Sequence, residues 1–165
     1  MDPLQGTALV AATITMGIAA GVYSLYMFVI MPGLAKTDDR TFVGAFQQID
    51  TAIVGPFLLV FFIGPLGLAA WAAALHAGDT DRTAFALIAG AVGLQVVMAL
   101  ITLSVNVPLN NRIKAAGDPS RIGDLASVRH RFNEARWVRW NRVRTLAAIV
   151  AFGLLAWSLV LYGGA

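Results

Sequence analysis

Four long stretches of this 165-residue chain carry no Asp, Glu, Lys or Arg: Thr7 to Met31, Ala52 to His76, Ala84 to Val107 and Thr145 to Tyr162. An apolar helix of about 18 or more residues, rising about 1.5 Å per residue, crosses a hydrocarbon core of about 30 Å. The pattern predicts an all-α integral membrane four-helix bundle forming one domain over residues 1–165. Its membrane helices fall at about 7–31, 52–76, 84–107 and 145–162, with connections 32–51 and 108–144. Met31-Pro32-Gly33 is predicted to end the first helix. Thr37 or Asp38 caps a short helix through Phe46. Pro56 and Pro65 are kink points in the second segment, and Asp79-Thr-Asp-Arg82 is a tight outer turn. Gly117-Asp-Pro-Ser120 is a second turn, after which Asp124 caps a helix. From Leu125 nothing breaks helical structure before Gly153. The fourth membrane helix is therefore predicted to begin as a cytoplasmic helical extension.

Composition agrees with that architecture. Hydrophobic residues make up 58% of the chain and charged residues 13%, against about 25% charged in soluble domains. Eleven of the twelve Lys and Arg lie in the connections 32–51 and 108–144, and only Arg82 lies on the opposite side. Basic residues stay cytoplasmic, which places the protein in the plasma (inner) membrane with both termini extracytoplasmic. The net charge of +3 then reads as a topology signal and an attraction to anionic membrane lipid. It does not read as a nucleic-acid footprint, because no basic cluster alternates with stacking aromatics in a soluble module. Zero cysteines remove disulfides, thiolate chemistry and cysteine-ligated metals. The residues ahead of the first segment, Met1 to Gly6, lack the basic start of a secretory signal.

Two polar strings adjoin these segments: Asn106-Val-Pro-Leu-Asn110 and Trp137-Val-Arg-Trp140-Asn141-Arg-Val-Arg144-Thr145. Polar groups at a membrane boundary cost free energy unless paired or used. Trp137, Trp140, Asn141 and Arg144 share one helix face at i, i+3, i+4 and i+7, and His130 and Asn133 approach that face from earlier turns. Asn106 and Asn110 share a side if the helix passes Pro108; otherwise the proline ends it there. Gln47, Asp50, the two asparagines and Arg144 all flank cytoplasmic segment ends, which predicts a polar pocket roofed by tryptophans. Each residue also has a plainer reading. Boundary Trp anchors, boundary Arg snorkels, Asp50 caps the second membrane helix, and Gln95 is interhelical glue. Tyr23 and Tyr26 read as core or belt residues. Gly17-Ile-Ala-Ala-Gly21 is a close-packing mark. Haem would need His76 and His130, which fall on opposite membrane faces.

Met31-Pro32-Gly33, Phe46-Gln47-Gln48-Ile49-Asp50, Asn106-Val-Pro-Leu-Asn110 and Trp137-xx-Trp140-Asn141-xx-Arg144-Thr145 together resemble the anthrone oxygenase-like family of small four-helix integral membrane proteins. The motifs occur in order over nearly the whole chain. Most members of that family have no assigned function. Those that do resemble cofactor-free oxygenases, which turn anthrones into anthraquinones with neither metal nor flavin. The resemblance implies a hydrophobic aromatic substrate and a base to take its proton, with Asp50 or His130 as candidates. Asn106, Asn110, Asn141 and Arg144 are candidate donors to the developing oxyanion. Trp137 and Trp140 are candidate stacking walls, and Gln47 completes the substrate-binding set. Two other classes stay open: a membrane protein that binds an aromatic or quinone-like lipid without transforming it, and a structural membrane subunit. A homo-oligomer also stays open; alternating-access transport would require one.

Overall fold

Short polar side chains start several of the helices, as a backbone with unpaired N–H groups at each helix start requires. In the computed structural model, which describes residues 2–53, 55–79 and 82–164, Asp2 accepts from the Leu4 N–H at 2.9 Å and opens α1, Pro3–Leu34. Asp38 accepts from the Thr41 N–H at 2.9 Å and opens α2, Asp39–Ala52. Two further helices follow, α3 over residues 56–76 and α4, Arg82–Lys114. Asp124 caps α5, Leu125–Phe132, through the Ser127 N–H, and Asn133 caps α6, Glu134–Gly163, through the Arg136 N–H. The described residues hold no strand. Among the described residues, three helical runs are long and apolar enough to cross a membrane: α1, α4 and Leu125–Gly163, which comprises α5 and α6. Thr80 and Asp81 of the expected outer turn lie outside the described residues.

Prolines lie inside helices as well as at their ends. Pro32 lies inside the last turn of α1, which ends at Leu34, one residue after the predicted Met31-Pro32-Gly33, and α4 passes Pro108 and continues to Lys114. A widened π-helical turn ends two residues before each of three prolines: Tyr26–Ile30 before Pro32, Leu59–Ile63 before Pro65, and Thr102–Asn106 before Pro108. A proline ring collides with the carbonyl four residues earlier and offers that carbonyl no N–H. A π turn shifts its hydrogen bonds to i→i+5, which moves the obstructing carbonyls of Phe28 and Ser104 aside.

Breaks come instead at two other places. The chain leaves α2 at Ile53 and turns through Gly55 at φ +70°, so α3 starts four residues after the predicted Ala52. Asp50 therefore sits in the last turn of α2 and does not cap the next helix. The predicted uninterrupted helix from Leu125 is also corrected. Asn133 adopts φ +57°, a left-handed conformation that Asn tolerates better than other residues with a Cβ, and this separates α5 from α6.

Helix α1 packs on α3 and α6, and α4 packs on the same two. Their shared core is mostly alanine, including Ala8, Ala12, Ala69, Ala72, Ala91, Ala148 and Ala151. Small residues of this kind let helices approach closely in lipid, where water exclusion drives nothing. Gly17 belongs to this device, since a Cβ there would lie 2.9 Å from the Phe152 ring, whereas Gly21 faces open space. Large apolar side chains such as Ile14, Phe28, Leu100, Leu103 and Val160 point outward instead. At the basic end α2 and α5 close over a second, aromatic core containing Met31, Phe42, Phe46, Phe132 and Trp137. Arg129 fastens this layer by donating to the Thr37 carbonyl at 3.0 Å and pairing with Asp39 and Glu134, each at 3.1 Å, while stacking on Phe42.

Asn133→Val removes both the tolerated left-handed conformation and the α6 cap. It should cost on the order of 2 kcal/mol, read as a lowered melting temperature in detergent. Asn133→Gly keeps the backbone freedom and should lie much nearer the wild type.

Candidate functional site

The alanine core and the aromatic core meet around a cavity of about 190 Å³ whose lining includes Tyr23, Tyr26, Asp50, Asn106, Asn110, Trp137, Asn141 and Arg144. That exceeds the ~150 Å³ of an apolar cavity known to take benzene, so at least one aromatic ring fits. Helix α4 supplies Thr102, Asn106, Asn110 and Lys114 at intervals of four. The π turn between Thr102 and Asn106 keeps this row on one side. Helix α6 supplies Trp137, Asn141 and Arg144, one face at i, i+4 and i+7.

At the inner end lies Arg144, 5% exposed. Its Nη1 donates to Thr102 Oγ1 at 3.0 Å and its Nη2 to Asn141 Oδ1 at 2.8 Å. The guanidinium carbon lies 4.9 Å from the Tyr23 ring centre and 5.6 Å from that of Trp137. Among the described residues no carboxylate comes within ion-pair distance of it, and its Nε has no hydrogen-bond partner. A buried guanidinium without a counter-charge is costly. Here neutral dipoles and ring faces hold it, which stabilise a cation less than a carboxylate does.

A polar chain occupies the outer end. Lys114 Nζ pairs with Asp50 Oδ2 at 2.7 Å, Asn110 Nδ2 donates to Asp50 Oδ1 at 2.6 Å, and Trp137 Nε1 donates to Asn110 Oδ1 at 2.7 Å. This chain fixes the Trp137 indole, which also packs against Tyr26 at 5.6 Å and edge-on against Phe46 at 5.7 Å. Apolar walls come from Val22, Ile53, Leu58, Phe62 and Val107. Leu58 and Val107 are also exposed on the outer surface.

Of the residues singled out in the sequence, Asp50, Asn106, Asn110, Trp137, Asn141 and Arg144 come together here. Three do not. Gln47 is buried, but its Nε2 donates to the Ile113 and Gly117 carbonyls at 2.8 and 3.0 Å, closing the end of α4. Trp140 lies at the edge of the α6 face and packs beside the aromatic core and Arg139. His130 is exposed on α5 in a separate groove with Asp39, Arg129 and Glu134, because the turn at Asn133 carries α5 away from the α6 face. Sequence reasoning passed over Tyr23, Tyr26, Thr102 and Lys114 as site members. The four-residue spacing from Thr102 to Lys114 is the signal that finds two of them.

Fold and cavity thus define a small all-helical protein with helices of membrane-crossing length and an internal aromatic pocket built around a buried cation. The family model for anthrone oxygenase matches residues 57–154, and the chain belongs to that family. The matched region contains Thr102, Asn106, Asn110, Lys114, Trp137, Asn141 and Arg144, while Tyr23, Tyr26 and Asp50 precede it. No curated protein and no solved structure matches the chain.

Replacing a buried, uncompensated charge with an apolar side chain of similar length is often neutral or stabilising. Arg144→Met should accordingly leave the detergent unfolding temperature unchanged or raised. A drop equivalent to about 2 kcal/mol or more would make Arg144 a structural strut.

Proposed function

We propose that the protein is a cofactor-independent oxygenase acting on a planar, anthrone-like phenolic ketone at the cytoplasmic membrane face. The observation that carries this reading is Arg144: a buried guanidinium beside an aromatic-walled cavity with no carboxylate to neutralise it. A cation in that setting stabilises a developing oxyanion far better than water does. The substrate rings lie against Trp137 and Tyr26, with the ketone oxygen at Arg144. Asp50 takes a proton from the central methylene. Both its oxygens accept hydrogen bonds from the protein, yet each keeps a second lone pair. The resulting carbanion, its charge shared with the oxygen at Arg144, passes an electron to dioxygen. Recombination and protonation give a hydroperoxide on the former methylene carbon. Loss of water leaves a carbonyl there. One methylene and one dioxygen thus become one carbonyl and one water.

The proposed topology has four crossings, counting α3, which packs between α1 and α4, with both termini extracytoplasmic. The eleven clustered basic residues support that orientation. A substrate dissolved in lipid enters beside Leu58 and Val107, the wall residues that also face outward.

One observation favours a second reading. Asp50 is held by Lys114 and Asn110 as a completed polar group, which suits a binder of an aromatic or quinone-like lipid that needs no base. Oxygen uptake by the purified protein with a hydroxylated anthrone separates the two. Uptake above the spontaneous rate, reduced at least ~10-fold in Arg144→Ala, is the expected result. Under the same reading Asp50→Asn loses turnover while still binding the anthrone without oxygen. Uptake equal to that of buffer, with binding retained, leaves the binder.

A further inference from the structure

We infer that Asn106 selects the ligand by accepting a hydrogen bond from a ligand hydroxyl, in the same cavity where Arg144 receives the ligand's oxygen. This rests on the cavity being the ligand site. Asn106 is 1% exposed and lines the cavity from α4. Its Nδ2 faces the Trp137 carbonyl oxygen at 3.4 Å. A carbonyl only accepts, so the amide nitrogen belongs on that side and the amide oxygen on the other. That oxygen, Oδ1, is buried and has no hydrogen-bond partner among the described residues. The sequence reading has Asn106 as a donor to the substrate; in the structure one of its two amide hydrogens is directed at Trp137, and the amide oxygen is the atom left without a partner.

Asn106 and Arg144 both line the cavity, and each holds a buried polar atom without a hydrogen-bond partner: an acceptor, Asn106 Oδ1, and a donor, Arg144 Nε. They are linked through one residue, since the Asn106 amide lies on the Trp137 backbone and the guanidinium lies by the Trp137 ring. A ligand with only acceptors, such as a ketone, ether or quinone, serves Arg144 but sets an oxygen against the Asn106 oxygen. A ligand that also carries a free hydroxyl serves both. A buried hydrogen bond left unmade lowers an equilibrium constant by roughly 5- to 150-fold, so the discrimination is large enough to measure. The hydroxyl must not already be bonded internally to the ketone, or it has no proton to offer.

The test is calorimetric titration of the detergent-solubilised protein without oxygen. The probes are an anthrone bearing one hydroxyl remote from the ketone, and its O-methyl ether. Wild type should bind the phenol at least ~10-fold more tightly than the ether. Asn106→Leu, nearly the same size with no acceptor, should bring the two affinities together. Equal affinities in the wild type overturn the inference while keeping the cavity as a ligand site. Binding of neither probe overturns the reading of the cavity and the inference with it. The wild-type comparison alone decides the matter should the variant fail to fold.

Discussion

A guanidinium enclosed by helices, with neutral partners only, is the constraint around which the rest of this molecule is arranged. Arg144 donates its hydrogen bonds to a threonine on α4 and an asparagine one turn back on α6. Two aromatic faces provide what further stabilisation it has. Those partners come from three helices, α1, α4 and α6, and each must be held in register. Thr102 depends on the π turn of α4, Tyr23 on the packing of α1, and Trp137 on the polar chain through Asn110 to Asp50. Asn141 and Thr145 also hydrogen-bond the Tyr23 backbone carbonyl, at 3.4 and 3.2 Å, which ties α6 to α1 at the level of the guanidinium.

The proline-linked π turns explain how such a site is built from continuous helices. In an unbroken α-helix, positions four apart drift around the axis, because 3.6 residues complete a turn. A single wider turn resets that drift. Tyr26, Phe62, Thr102 and Asn106 all belong to π turns, and all line the cavity. The fold thus widens three helices where it needs side chains converging on one space. π turns are frequent at functional sites for this reason.

Much of this was legible in the sequence and some of it was not, for reasons that differ by residue. The strings around Asn106 and Trp137 stood out because polar residues beside apolar segments have few uses. Helical spacing placed Trp137, Asn141 and Arg144 on one face, but also Trp140, which packs beside the aromatic core instead. Tyr23 and Tyr26 carried no such contrast, since aromatic residues are ordinary in membrane-length helices and only tertiary packing turns them inward. Lys114 was counted as a topology charge, although it continues the row begun by Asn106 and Asn110. Gln47 and His130 failed in the other direction. Their types suited a site, yet Gln47 is occupied with the carbonyls ending α4, and His130 is carried off by a left-handed residue that reads as ordinary helix. Pro108 left the course of α4 open in the sequence, because a proline that breaks a regular helix is accommodated where a π turn precedes it.

Charge placement across the cavity leaves its two cations in different states. Asp50 could have served as the counter-ion of Arg144, and then the site would hold a neutral, internally satisfied pair. Instead Lys114 occupies Asp50 at the outer end, and Arg144 keeps no paired carboxylate among the described residues. The same Lys114–Asp50 contact continues through Asn110 to the indole of Trp137. It therefore orients one wall of the cavity while removing the competitor for its cation. A fold selected only for stability would pair Arg144 with the nearest carboxylate or replace it with an apolar side chain. A retained cation with its rival neutralised is the arrangement that the proposed oxyanion contact calls for.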